Sequence, residues 1–275
     1  MKSERSRLTA FVVLIALLYY LYFQAPFLGS FPWSVPVGSG VYADYIDFSE
    51  WVAAAVIVML GCLLFHIHYP MQWRSLWWGI LIGLPSLTLM LFSDYGVIPM
   101  AFSIPDFKPL ILVAIFNALE AGITEELIFR GTFLPLLRRA FAHDKHPVFW
   151  AVFLSSLIFG ATHLNFTNAG NLFFDSLNQA VSAFGAGVLY AVLTICMKSL
   201  LPSIIIHTAN DFLPLVRRTL YPTTWLYAES FHPFDPVSFA FLASDAVFQI
   251  LLACLIYWVW RRRTVVHTNG SLQIK

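Results

Sequence analysis

The chain has 275 residues, of which 59% are hydrophobic, 17% aromatic and only 11% charged, with a mean hydropathy of +0.74. Soluble domains carry about 25% charged residues, so this composition excludes an ordinary soluble globular protein and describes an integral membrane protein. A net charge of +1 with no basic stripe offers nothing to a phosphate backbone, and no nucleic-acid partner is expected.

Apolar runs predict an all-α, polytopic bundle of about eight transmembrane helices. In chain order they are Leu8–Leu28, Trp51–Tyr69, Leu76–Phe92, Leu110–Leu137, Pro147–Leu164, Ala180–Met197, Pro202–Leu220 and Ser238–Trp260. The third, fifth, sixth and seventh are short for a full crossing. The first follows Lys2, Arg5 and Arg7, as a signal peptide would. Its apolar stretch is too long for one, and "APFLGS" has no small-x-small cleavage motif, so it reads as an uncleaved anchor.

Orientation follows from lysine and arginine in alternate loops. Lys2, Arg5, Arg7, Arg74, Arg138, Arg139, Lys145, Lys198, Arg261, Arg262, Arg263 and Lys275 fall on one side, and only Lys108, Arg217 and Arg218 on the other. Both termini are therefore expected in the cytoplasm. The outward loops carry Asp44, Asp47, Glu50 and "YPTTWLYAESFHPFDP". Cys62, Cys196 and Cys254 lie in apolar runs without a C-x-x-C spacing, which argues against a disulfide framework or a thiolate zinc site. Gly79 with Gly83, and Ala183 with Gly187 and Ala191, form small-residue faces that read as close helix packing. With no internal repeat or linker, residues 1–275 read as one membrane domain.

Against this background, three runs carry polar groups where a bilayer penalises them by a few kcal/mol each. Glu126 and Arg130 are at i,i+4 with the acid first, the favourable order for an ion pair. Glu125 projects about 100° further round and gains no partner from its own helix. Phe159 and His163 share one face of "SLIFGATHLNF". His207, Asn210 and Asp211 share one face of "LPSIIIHTANDFLPL". The simplest arrangement turns these faces toward one hydrated pocket.

A carboxylate beside a neutral imidazole can hold a water and accept its proton. A second histidine with an amide or acid can stabilise a carbonyl oxygen under attack. That chemistry is acyl hydrolysis, most simply of a peptide bond. No G-x-S-x-G or H-E-x-x-H is present. Glu125, His163 and His207 could together make a His2Glu zinc site, but carboxylate and imidazoles suffice to activate water. No cofactor is expected.

"EELIFRG", "FGATH" and "HTAND", on successive membrane helices, resemble the E-E-x-x-x-R, F-x-x-x-H and H-x-x-x-(N/D) motifs of the CPBP family of intramembrane glutamic endopeptidases. That family includes type II CAAX prenyl endopeptidases and bacteriocin-immunity (Abi) proteins. The resemblance covers a core of about 110–215. It implies that Glu125 activates water with help from His163, that His207 and Asp211 polarise the scissile carbonyl, and that Arg130 organises the site by holding Glu126. The last motif more commonly ends in asparagine. An ionised Asp211 repels an oxyanion, so it is neutral, or it orients His207, or Asn210 donates instead. With cytoplasmic termini, His163 falls near the outer end of its helix and His207 near the inner start of its own, which sets a depth mismatch between them.

The expected partner is a protein or peptide substrate at the membrane, and the expected location a bacterial inner (plasma) membrane, with lipid around the bundle. Two alternatives use the same cavity. One is a non-catalytic immunity or peptide-binding protein. The other is a proton-coupled transporter, which is disfavoured because matching broken helices are not found.

Overall fold

The computed structural model describes residues 2–24, 34–37, 44–88, 91, 95–103, 107–164, 173–220 and 236–270. In chain order the elements are α1 (Lys2–Gln24), β1 (Ser34–Val37), β2 (Asp44–Asp47), α2 (Ser49–Phe65), α3 (Leu76–Gly83), α4 (Val97–Phe102) and α5 (Phe107–Glu125). A π-helical segment (Glu126–Phe133) joins α5 to α6 (Leu134–Ala140), and α7 (Pro147–Thr162), α8 (Phe173–Met197), α9 (Leu201–Leu220) and α10 (Pro236–Gly270) follow. The architecture is all-α. Its one described sheet is the antiparallel pair β1–β2, with Ser34 opposite Asp47 and Val37 opposite Asp44. Leu28, Phe92 and most of "YPTTWLYAESFHPFDP" lie outside the described residues.

Several boundaries differ from expectation for local reasons. The run expected over Trp51–Tyr69 stops at Phe65, because His66 adopts a left-handed backbone with φ 49°. The N–H of Ile67 then reaches back to the Gly61 carbonyl, the hydrogen-bond pattern of a helix stop. The run expected over Leu76–Phe92 is broken. After Gly83 it tightens into a 3-10 turn at Leu84–Ser86, where Pro85 removes a donor from the ladder, and it is α-helical again at residues 87–88 and 91. Asp44 and Asp47 belong to β2 and Glu50 to the first turn of α2, rather than to a plain outer loop.

Among the described residues two helices, Ser176–Met197 and Phe239–Arg263, are long and apolar enough to cross a bilayer. On α10, Val247, Leu251, Leu255 and Trp258 are exposed, as are Val13, Leu14, Leu17, Leu18 and Leu21 on α1. Large apolar side chains turned outward on peripheral helices are what lipid tails cover. The protein is an integral membrane protein.

The core lies around α8 and the π segment. Ile128, Phe129, Phe133, Leu136, Leu189, Leu193 and Leu200 are all fully buried there. α9 packs along α5, α7 along α8, and α10 along the other side of α8. Contact between α5 and α9 is set by Gly122, where an added Cβ would meet Thr208 Oγ1 and come within 2.9 Å of the Thr208 backbone nitrogen. Gly79 faces Pro202 and Gly83 faces Ile206 in the same way, so this small-residue face does pack closely against α9.

The π segment has an identifiable support. Thr132 Oγ1 donates to the Leu127 carbonyl five residues back, and the Leu134 N–H reaches Phe129, again five back. Pro135 follows and brings no N–H, and its ring would crowd the carbonyl four residues earlier in a regular α-turn. From the α2–α3 connection, the Tyr69 hydroxyl lies 2.8 Å from Thr132 Oγ1, and its ring fills the space left by Gly131. A wide turn is thereby held in place. Wide turns of this kind recur at functional sites.

Candidate active site

The end of α5 and the start of the π segment deliver Glu125, Glu126 and Arg130. Arg130 Nη1 stands 3.1 Å from Glu126 Oε1, and both side chains are almost completely buried. The contact is an ion pair rather than an aligned hydrogen bond. The guanidinium also lies near aromatic rings, with Phe159 at 4.3 Å and Tyr190 at 5.3 Å from their centroids. Such cation–π contacts offset part of the cost of a desolvated charge.

The second turn of α9 delivers His207. Its Nδ1 donates to Glu126 Oε1 at 3.0 Å, so one carboxylate oxygen serves both Arg130 and His207. Its Nε2 faces two further carboxylates, Glu125 Oε2 at 3.5 Å and Asp211 Oδ2 at 3.3 Å. Ionised carboxylates only accept. A proton must therefore sit between Nε2 and these two acids, on the ring or on one of them. The side chains grade outward in exposure, from 0% at Glu126 through 5% at His207 and 14% at Glu125 to 35% at Asp211. The accessible end of the cluster is thus the Nε2 end, where Glu125 and Asp211 meet.

His163 is the C-cap of α7. Its Nδ1 lies 3.0 Å from the Phe159 carbonyl oxygen. That oxygen can only accept, so Nδ1 carries the proton and, in the neutral ring, Nε2 keeps its lone pair. The Phe159 ring stands edge-on to both histidines, 5.1 Å from His163 and 5.8 Å from His207. The charges of Asp211, His207 and Arg130 all reach His163. The two histidines, expected at different depths, both meet the ring of Phe159.

Asn210 does not point at the acids. Its Nδ2 donates to the Tyr190 hydroxyl at 2.6 Å, and the Tyr190 ring lies over His207 at 4.8 Å and 25°. Tyr190 was not among the residues singled out from sequence. A tyrosine in an apolar helix gives no signal of its own. Glu50 was also missed as a neighbour of the site. Thr124 Oγ1 lies 3.2 Å from Glu50 Oε2, and the Glu50 charge acts on Glu125.

Residues 107–213 match the family model described as type II CAAX prenyl endopeptidase Rce1-like. Over this stretch, less than half of the chain, the protein is similar to that family. No curated protein and no solved structure matches the chain. The matched stretch contains Glu125, Glu126, Arg130, Phe159, His163, Tyr190, His207, Asn210 and Asp211, whereas Glu50 lies outside it. The family is one of membrane-embedded proteases acting on protein or peptide substrates at the membrane.

Proposed function

We propose that this protein is an intramembrane endopeptidase that hydrolyses a peptide bond of a membrane-associated protein or peptide, with Glu125 as the base. What carries the reading is the Nε2 end of His207, where one imidazole nitrogen meets the more exposed acids Glu125 and Asp211 while the other is tied to the Glu126–Arg130 pair. A water held by Glu125 and by the lone pair of His163 Nε2 gives its proton to Glu125 as its oxygen attacks the scissile carbonyl. The carbonyl oxygen gains negative charge, and the Nε2–H of a protonated His207 stabilises it. The carbon–nitrogen bond then breaks, and Glu125 returns the proton to the leaving amine. Asp211 keeps His207 oriented and balances its charge. Glu126 and Arg130 hold the ring from behind.

A water held by carboxylate and imidazole suffices for this reaction, and the reading needs no zinc. Among the described residues no group of three or more His, Cys, Asp or Glu side chains is spaced to hold a metal ion. No step is routed through a metal.

The orientation with cytoplasmic termini, a count of about eight spans and residence in a bacterial inner membrane belong to the same reading. Arg5 supports the first of these, since it pairs with Asp144 at 3.3 Å and so puts the start of α1 beside the turn after α6. The test is cleavage by the purified protein in liposomes, read by mass spectrometry. A farnesylated peptide ending in C-A-A-X is offered beside the same peptide without lipid and an unrelated membrane-anchored peptide. Cleavage within at least one of them is expected. Binding without cleavage of any would favour the peptide-binding alternative.

A further inference from the structure

We propose that Tyr190 is a positioning residue of this site, setting the plane of the His207 imidazole from α8 and being itself tied back to α9 by Asn210. This rests on the peptidase reading for its kinetic consequences but not for its geometry.

His207 needs such a device. An imidazole turns about two side-chain bonds, and both its nitrogens face carboxylates. A half-turn of the ring would put carbon where Nε2 stands, between Glu125 and Asp211. Hydrogen bonds at the ring edge resist this, but the ring faces must also be held. The Tyr190 ring lies over one face of His207, nearly parallel, while Phe159 meets it edge-on at 81°. Tyr190 is only 1% exposed, too enclosed to touch a substrate, so it acts through His207.

Tyr190 is in turn prevented from sliding. Its hydroxyl accepts a hydrogen bond from Asn210 Nδ2 at 2.6 Å. Asn210 stands three residues after His207, on the same face of α9. The tether therefore closes a ring of contacts from His207 to Tyr190, on to Asn210, and back through one turn of helix. Phenylalanine would keep the stacking and lose this closure. Asn210 is thereby spent on Tyr190, which leaves His207 as the donor at the reacting end.

The test combines ring dynamics with kinetics. In detergent-solubilised full-length protein carrying 15N-labelled histidine, the ring nitrogens of His207 are followed in wild type, Tyr190→Phe and Tyr190→Leu. Wild type should give one sharp state. Tyr190→Phe should broaden it modestly, and Tyr190→Leu, which also takes a ring from Arg130 and so melts earlier, should show exchange between ring orientations well below its melting temperature. Signals unchanged in Tyr190→Leu overturn the proposal, whether or not the protein cleaves peptides. In the cleavage assay kcat should fall about tenfold for Tyr190→Phe, the loss of one buried hydrogen bond. It should fall about a hundredfold for Tyr190→Leu, as expected of a misplaced catalytic group. KM should be unchanged in both. A raised KM with kcat intact would also overturn the proposal, because it would make Tyr190 a binding residue.

Discussion

Nδ1 of His207 lies 3.0 Å from Oε1 of Glu126, so the ion pair that anchors the π segment also anchors a ring on α9. The three groups are buried together, and none can be removed without stranding another. The outer acids, Glu125 and Asp211, meet at the opposite nitrogen.

Removing Arg130 tests that anchor. Breaking a buried pair by deleting one partner costs about 3–5 kcal/mol, because the remaining charge is left uncompensated. Arg130→Ala should lower the melting temperature and the folded yield in detergent, together with activity. Arg130→Lys should rescue little, since an ammonium lacks the planar, delocalised charge that a guanidinium presents to Phe159 and Tyr190. An Arg130→Ala protein as stable as wild type but inactive would assign Arg130 to the substrate instead.

Gly122 tests the approach of the two helices that carry the site. A Cβ there would press on the backbone of Thr208 and, at 3.1 Å, on the Ile204 carbonyl oxygen. These are main-chain atoms of α9 that cannot rotate away. Gly122→Ala should therefore cost about 1–3 kcal/mol, typical of overpacking, and should reduce activity by parting Glu125 from His207. Wild-type stability and turnover would show that the α5–α9 spacing is not set there.

The polar half of this site was legible because polarity stands out in apolar helices. Glu125, Glu126 and Arg130, then Phe159 and His163, then His207 and Asp211 all announced themselves by residue type and spacing, and the family match covers the same stretch. The rest was hidden for physical reasons. "ELIFRGTF" reads as ordinary α-helix, and only the contacts of Thr132 with Leu127 and Tyr69 reveal the wide turn. Tyr190 and Glu50 acquire meaning solely from what α8 and α2 pack against. The break after Gly83, by contrast, had a signal in Pro85. The stop at His66 had none, because a histidine rather than a glycine takes the left-handed position.

Asp211 can act in two ways, and its distance of 3.3 Å from His207 Nε2 favours orientation over donation. Asp211→Asn should then lower kcat on the order of a hundredfold at every pH tested, nearly as far as Asp211→Ala. An Asn variant that keeps its rate and extends it to alkaline pH would mean that a neutral Asp211 donates to the oxyanion.

Metal dependence follows from the donor set. Because a carboxylate and imidazoles suffice to activate water, activity should survive exhaustive treatment with a strong chelator, and elemental analysis should find substoichiometric zinc. One tightly held zinc per chain, with activity restored by zinc alone, would reverse the assignment of His163 and His207.

The most direct measurement is the rate of peptide-bond cleavage by Glu125→Gln in liposomes beside wild type, with melting temperature as a control for folding. Gln keeps the size and polarity of the side chain and loses the ability to accept a proton from water. The variant should melt close to wild type and show no cleavage above the uncatalysed background. Cleavage by Glu125→Gln at the wild-type rate would contradict glutamate-activated hydrolysis.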